Sequence, residues 1–135
     1  MECQVIYFSR KGSTKKIADA IATSLGTKAE DVKTATLRPN TFIFLGSGCY
    51  GGKPGKQMKS FIEDNDFSSR TIALFGTSAG GCGSEIDSMQ MMLDKKNVTI
   101  KGRFYCRGRF WFGNKDKPST SDLENAQTFA QHMIQ

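Results

Sequence analysis

The sequence holds one histidine, His132, so a multi-histidine metal site is excluded by count. Its four cysteines, at positions 3, 49, 82 and 106, form no CxxC pair. That spacing argues against a zinc site and against a disulfide framework, and predicts reduced thiols, with Cys3 and Cys106 buried. Cys49 and Cys82 read as small packing residues, because nothing in the sequence pairs either with a base. No apolar run approaches the roughly 20 residues that a membrane span needs. The N-terminal stretch has no basic start, long apolar segment or small-residue cleavage site, which leads to the expectation of a cytoplasmic protein. The chain has neither GxxxxGK followed by Ser or Thr, nor GxGxxG. The triphosphate loop and the dinucleotide fingerprint are therefore both absent. Nor is there an internal repeat, a linker or a low-complexity segment, and 135 residues suit one domain.

What is present is a regular alternation of strand-like and helix-like stretches. Residues 3–8 (CQVIYF) read as a buried first strand. Residues 13–25 have helical spacing, with Ile17, Ile21 and Leu25 on one face and Gly26 as a stop signal. A short second strand is expected within 28–36, with little or no helix before the next strand. TFIFL at 41–45 is a continuous apolar run, as in a central parallel strand covered on both faces. Residues 46–55 read as a glycine-rich loop, and 56–64 as a helix burying Met58, Phe61 and Ile62. TIALF at 71–75 is a second central strand, followed by a glycine-rich loop at 76–83. Ser84 with Asp87 forms a capping-box pattern before a helix that buries Ile86, Met89 and Leu93. Residues 98–106 alternate as an edge strand does. A basic and aromatic connection follows at 107–118. Ser121 with Glu124 then heads a closing helix lined by Leu123, Ala126, Ala130 and Met133. Five strands alternating with helices argue a doubly wound α/β fold, a parallel sheet with helices on both faces.

Open parallel sheets bind ligands beyond the carboxyl ends of their strands. Three loops leave such ends here, and their convergence on one sheet edge counts for more than any one of them. In the first, Ser9-Arg10-Lys11-Gly12-Ser13-Thr14, three hydroxyls surround a glycine at a helix start. Unpaired amides and partial positive charge at a helix N-terminus suit a phosphate. The plainer reading is an ordinary serine cap, which needs only one hydroxyl. The net charge of +6 fits attraction to anions, a phosphate ligand or an acidic protein. No nucleic-acid-binding motif accompanies it.

VIYFSRKGSTKKIADAIA resembles the opening of flavodoxins, whose phosphate loop reads [ST]xTGxT. Ser9, Gly12 and Thr14 match, and Lys11 stands where the family has its middle threonine. That replacement removes a hydroxyl and adds a positive charge. FLGSGCYGGKPG and LFGTSAGGCGSE resemble the second and third loops of the family, so the resemblance spans the chain. It implies a flavodoxin-like sheet of order 2-1-3-4-5 and FMN as cofactor. It also implies that Ser47, Gly48, Cys49, Tyr50, Gly51 and Gly52 lie by the isoalloxazine ring. Tyr50 would stack on the ring, and the Gly51–Gly52 peptide would respond to its redox state. Thr77, Ser78, Ala79, Gly80, Gly81, Cys82 and Gly83 would bring backbone amides to its pyrimidine end. The third loop lacks the family's second aromatic residue. Phe110, Trp111 and Phe112 are the nearest supply, though closing the core under the last helix is their plainer role.

The resemblance implies an electron carrier donating to a partner oxidoreductase. The family is commonly acidic and this chain is basic, so the partner would present an acidic docking face. No catalytic side chain and no metal are expected. A small FMN-dependent NAD(P)H:quinone or flavin reductase is the alternative, and a non-redox module of the same fold is a third. A response-regulator receiver needs acidic residues after the first strand and an aspartate after the third, and both are missing here. A low-molecular-weight phosphatase needs a cysteine–arginine loop, and Cys3 has none around it.

Overall fold

The computed structural model describes residues 2–108 and 116–135. Phe110, Trp111 and Phe112 lie outside the described residues.

Every residue of CQVIYF is buried, so β1 (Cys3–Phe8) lies inside the sheet. β3 (Phe42–Gly48) lies beside it and β4 (Thr71–Ser78) beside β3, with β2 (Ala29–Asp31) and β5 (Thr99–Arg107) at the two edges. All pairings are parallel and the order is β2-β1-β3-β4-β5, as the resemblance implied. Parallel neighbours need crossovers, which the helices supply: α1 (Ser13–Ser24), α2 (Lys56–Asp64) and α3 (Ser84–Asp94). α4 (Thr120–Met133) follows β5. No helix runs between β2 and β3. There the fully buried Gln4 donates to the Thr36 carbonyl at 2.7 Å and accepts from the Arg38 amide at 3.1 Å.

Strand alternation divides the core into two layers. Ile6, Phe8, Ile43, Leu45, Ile72 and Leu74 face α2 and α3, meeting Met58, Ile62, Ile86, Met89 and Leu93. Val5, Tyr7, Phe42, Phe44, Ala73 and Phe75 face α1 and α4, meeting Ile17, Ala18, Ile21, Ala126 and Ala130. β5 alternates between exposed and half-buried positions, as an edge strand with one wet face should. Cys3 is buried, whereas Cys106 on β5 is only half-buried.

The boundaries correct several expectations. β3 runs to Gly48 and β4 to Ser78, each three residues beyond its apolar run, so the loops start later than composition suggests. Gly46 permits this: a Cβ there would collide with the fully buried Phe75 ring. Gly46→Ala should therefore destabilise the fold by about 1–3 kcal/mol, since a filled core has nowhere to send the ring. Thermal unfolding checks this, and an unchanged midpoint would contradict the close approach.

Ser84 does not cap α3. Gly83 occupies the N-cap position with φ 80°, and no side chain caps the end. The capping box of α4 is Ser119 with Asp122 rather than Ser121 with Glu124. The Asp122 amide donates to Ser119 Oγ at 3.2 Å, and the Ser119 amide donates to Asp122 Oδ2 at 2.8 Å. At the other end of α1, Gly26 takes φ 72°, and Thr27 N–H reaches back to the Ala22 carbonyl at 3.0 Å. This closes the helix as a glycine after its last turn should.

Candidate functional site

Three strands end side by side, and the loops leaving β1, β3 and β4 enclose a cavity of about 520 Å³. That volume lies within the range of small-ligand sites.

The first loop turns at Gly12, whose φ of 95° is closed to most side chains. Gly12 is also the N-cap of α1, and no side chain caps that end. The plain serine cap is therefore not what forms. Instead Ser9 Oγ accepts the Gly12 amide at 3.0 Å, which leaves the Ser9 hydroxyl proton available to donate. Thr14 Oγ1 lies 2.8 Å from Thr77 Oγ1, and both residues are buried. When Thr77 donates within this pair, Thr14 presents its own proton to the cavity. α2 and α3 also begin at uncapped glycines. α1 differs in having these two hydroxyls together with Arg10 and Lys11 on the cavity wall. Among the described residues no carboxylate lines the cavity. The first loop is thus a donor-rich, cation-rich end suited to an anion.

The second loop is a tight hairpin. Tyr50 and Lys53 exchange backbone hydrogen bonds of 2.7 and 3.3 Å, with Gly51 and Gly52 between them at φ 64° and 80°. Two positive φ values in a two-residue connection are what a type I′ turn requires. Ser47 anchors this hairpin from a fully buried position. Its hydroxyl donates to the Gly48 carbonyl at 2.8 Å and accepts the Gly55 amide at 3.0 Å. The Tyr50 ring meets the edge of Phe8, with centroids 5.8 Å apart, and its hydroxyl accepts the Arg10 amide at 3.0 Å. The Arg10 guanidinium covers one face of the ring, 4.4 Å from its centroid. Burial holds the Tyr50 phenol above its ordinary range, so it stays protonated.

In the third loop Ser78 gathers much of the backbone. Its hydroxyl accepts the amides of Gly81 at 2.8 Å and Cys82 at 3.3 Å. Its carbonyl accepts the amides of Gly81 and Gly108. The amides of Gly81 and Cys82 are thus already engaged, and Ala79, Gly80 and Cys82 are on the cavity wall.

Of the expected residues, Ser9, Arg10, Lys11, Ser13, Thr14, Gly48, Cys49, Tyr50, Gly52, Thr77, Ser78, Ala79, Gly80 and Cys82 line the cavity. Gly12, Ser47, Gly51, Gly81 and Gly83 do not line it and instead shape the backbone around it. Two lining residues escaped the sequence reading, Ser84 and Gly108. A Cβ on Gly108 would lie 3.0 Å from Ser13 Cβ and 3.1 Å from Thr77 Cβ, so the chain passes tightly against both residues there. Glu85 was missed as well. It is fully buried, it fills the space that a Gly76 side chain would need, and neither of its oxygens has a hydrogen-bond partner among the described residues. Burial pushes its carboxyl above the usual range. Its own amide and the Cys49 thiol offset this in part, although neither makes a hydrogen bond of good geometry to it.

A family model described as "Flavodoxin domain" matches residues 4–111. A protein of Methanocaldococcus jannaschii, of uncharacterised function, is 25% identical over 148 aligned positions covering 99% of each chain. Among solved structures, a flavodoxin from the domain Archaea superposes with a TM-score of 0.78 at 18% identity, covering 98% of this chain and 96% of its own. Rubredoxin oxygen:oxidoreductase from Desulfovibrio gigas superposes with a TM-score of 0.79 at 16% identity, covering 98% of this chain but 35% of its own.

Proposed function

The chain belongs to the flavodoxin-domain family, and from that premise we propose that it binds FMN in the cavity at the carboxyl edge of the sheet and carries electrons to a partner redox protein. The observation that carries this reading is the chemistry of the first loop. The Ser9 hydroxyl, which accepts the Gly12 amide, keeps its proton for an anion, and Thr14 does the same when Thr77 donates to it, at an uncapped helix start with Arg10 and Lys11 on the same wall. FMN, when bound, supplies one-electron and two-electron redox chemistry.

The protein's own work is binding and orientation. Ser9 and Thr14 would donate to the phosphate, joined by the amides of the first turn of α1 and by the charge of Arg10 and Lys11. Thr77 would fix the sense of the hydroxyl pair by donating to Thr14. The Gly51–Gly52 turn and the Ala79–Gly80 segment would flank the ring. Tyr50 has one face covered by Arg10, so a flavin laid on that face displaces the guanidinium. Gly51 and Gly52 leave the turn free to reverse a peptide at low steric cost. The net charge of +6, with Arg10 and Lys11 on the cavity wall, favours a partner with an acidic docking face.

The test is a fluorescence titration of FMN with the purified protein, followed by a visible spectrum of the complex. Saturable quenching at one flavin per chain is the expected outcome. Unquenched FMN in excess protein would leave the fold as a non-redox module. Steady NAD(P)H oxidation with a quinone and no second protein would make the chain a reductase instead of a carrier.

A further inference from the structure

Two thiols from different loops meet over one hydroxyl in the cavity wall. Cys49, in the second loop, places its sulfur 3.7 Å from Ser84 Oγ. Cys82, in the third loop, places its sulfur 3.5 Å from the same oxygen. The two sulfurs are therefore no farther apart than the sum of those distances. Cys82 is exposed, and Cys49 is half-buried. Glycines flank both: Gly48, Gly51 and Gly52 near Cys49, and Gly80, Gly81 and Gly83 near Cys82. Such backbone adjusts readily, and bonding would bring the sulfurs to about 2.05 Å once the Ser84 hydroxyl swings aside.

We propose that Cys49 and Cys82 are a reversible redox pair that closes into a disulfide joining the second and third loops, with a peroxide as the two-electron acceptor.

The division of labour follows from their surroundings. Hydrogen bonds from the Ser84 hydroxyl and amide lower the Cys82 thiol from its ordinary value, favouring the thiolate at an accessible position. Burial pushes the Cys49 thiol up, and the neighbouring Glu85 adds to that. Cys82 is thus the first to react and Cys49 the one that resolves it. In the first step the Cys82 thiolate attacks one peroxide oxygen. The O–O bond breaks, a sulfur–oxygen bond forms, and hydroxide leaves and takes up a proton as water. Sulfur is oxidised by two electrons and peroxide is reduced. In the second step Cys49 attacks the Cys82 sulfur. The sulfur–sulfur bond forms, the sulfur–oxygen bond breaks, and the Cys49 proton departs with that hydroxide as water. Both thiols line the cavity, so the pairing is read from the thiols themselves and not from flavin binding.

The test treats the native full chain with a small excess of hydrogen peroxide, then alkylates the remaining thiols after denaturation and maps the peptides. We expect a monomer lighter by two hydrogen atoms, with the Cys49 and Cys82 peptides linked and Cys3 and Cys106 alkylated. A thiol reductant should restore all four to alkylation. In Cys49→Ser, the same treatment should leave Cys82 as a sulfenic acid trapped by dimedone, several-fold more than in the parent. If Cys82 oxidises while Cys49 stays fully alkylatable, or if Cys82 links only to a second chain, the proposal is overturned.

Discussion

Ser9→Ala and Thr14→Val should each weaken FMN binding by about 10–100-fold while changing riboflavin affinity by less than about twofold. A hydrogen bond to a charged group contributes about 1.5–3 kcal/mol, and about 1.4 kcal/mol is a factor of ten in affinity. Riboflavin has the ring and the sugar chain but no phosphate, so it reports only what the second and third loops do. Thr14→Val keeps the shape of a buried side chain while removing the oxygen that Thr77 faces at 2.8 Å. Ser9→Ala removes the acceptor of the Gly12 amide. It also loosens the turn, so its effect should lie toward the upper end of the range. Parallel titrations of the two flavins against each variant check this. Equal losses for both ligands would mean that these hydroxyls support the cavity as a whole rather than meeting a phosphate.

The second large effect concerns Glu85. Its folded-state carboxyl is held above the ordinary value of 4.5, chiefly by burial. The folded chain therefore keeps this proton to higher pH than the unfolded chain does. The sign follows from proton linkage. Whatever stability protonated Glu85 contributes is fully present below about pH 4.5 and is lost as pH rises through the folded value. Glu85→Gln has no proton to lose. Its stability relative to the parent should thus rise with pH across that window, at up to about 1.4 kcal/mol per pH unit, and level off above it. Urea unfolding of both proteins at a series of pH values measures this difference. Parallel curves would show that Glu85 ionises as freely in the fold as outside it.

The order of elements was legible because it rests on long signals. The apolar runs at 3–8, 41–45 and 71–75 admit little but central strands, and the alternation at 98–106 marks an edge. The helix faces were equally plain, since Ile17, Ile21, Met58, Ile62, Met89 and Leu93 recur at helical spacing and are all fully buried. Strand ends were not legible. Gly46-Ser47-Gly48 and Gly76-Thr77-Ser78 have loop composition, yet they continue β3 and β4, because their neighbours supply the ladder and small residues suit the crowded sheet edge. Helix starts failed for a related reason. Ser84 with Asp87 fits the capping pattern, but Gly83 in the left-handed region had already turned the chain. Ser119 with Asp122 and Ser121 with Glu124 carry nearly the same pattern two residues apart, and spacing alone does not choose between them.

The site was legible as three loops and less so as chemistry. Ser9, Gly12 and Thr14 announced themselves by hydroxyls around a glycine. That Thr14 pairs with Thr77, sixty-three residues away, is a tertiary fact no local pattern contains. The same holds for Arg10 stacking on Tyr50, and for Ser84 joining Cys49 to Cys82. Glu85 was invisible because a charged residue in an amphipathic helix ordinarily faces water. Gly108 was hidden inside a basic, aromatic stretch that reads as a connection. It was found only where β5 leaves the sheet beside Ser13 and Thr77.

A crystal structure of the protein grown with excess FMN tests the central claim most directly. Phosphate oxygens should lie within hydrogen-bond distance of Ser9 Oγ, Thr14 Oγ1 and the first amides of α1, with the ring between the Gly51–Gly52 turn and Ala79–Gly80. Side chains filling that cavity with no flavin density, or a flavin whose phosphate lies away from Gly12, would contradict it.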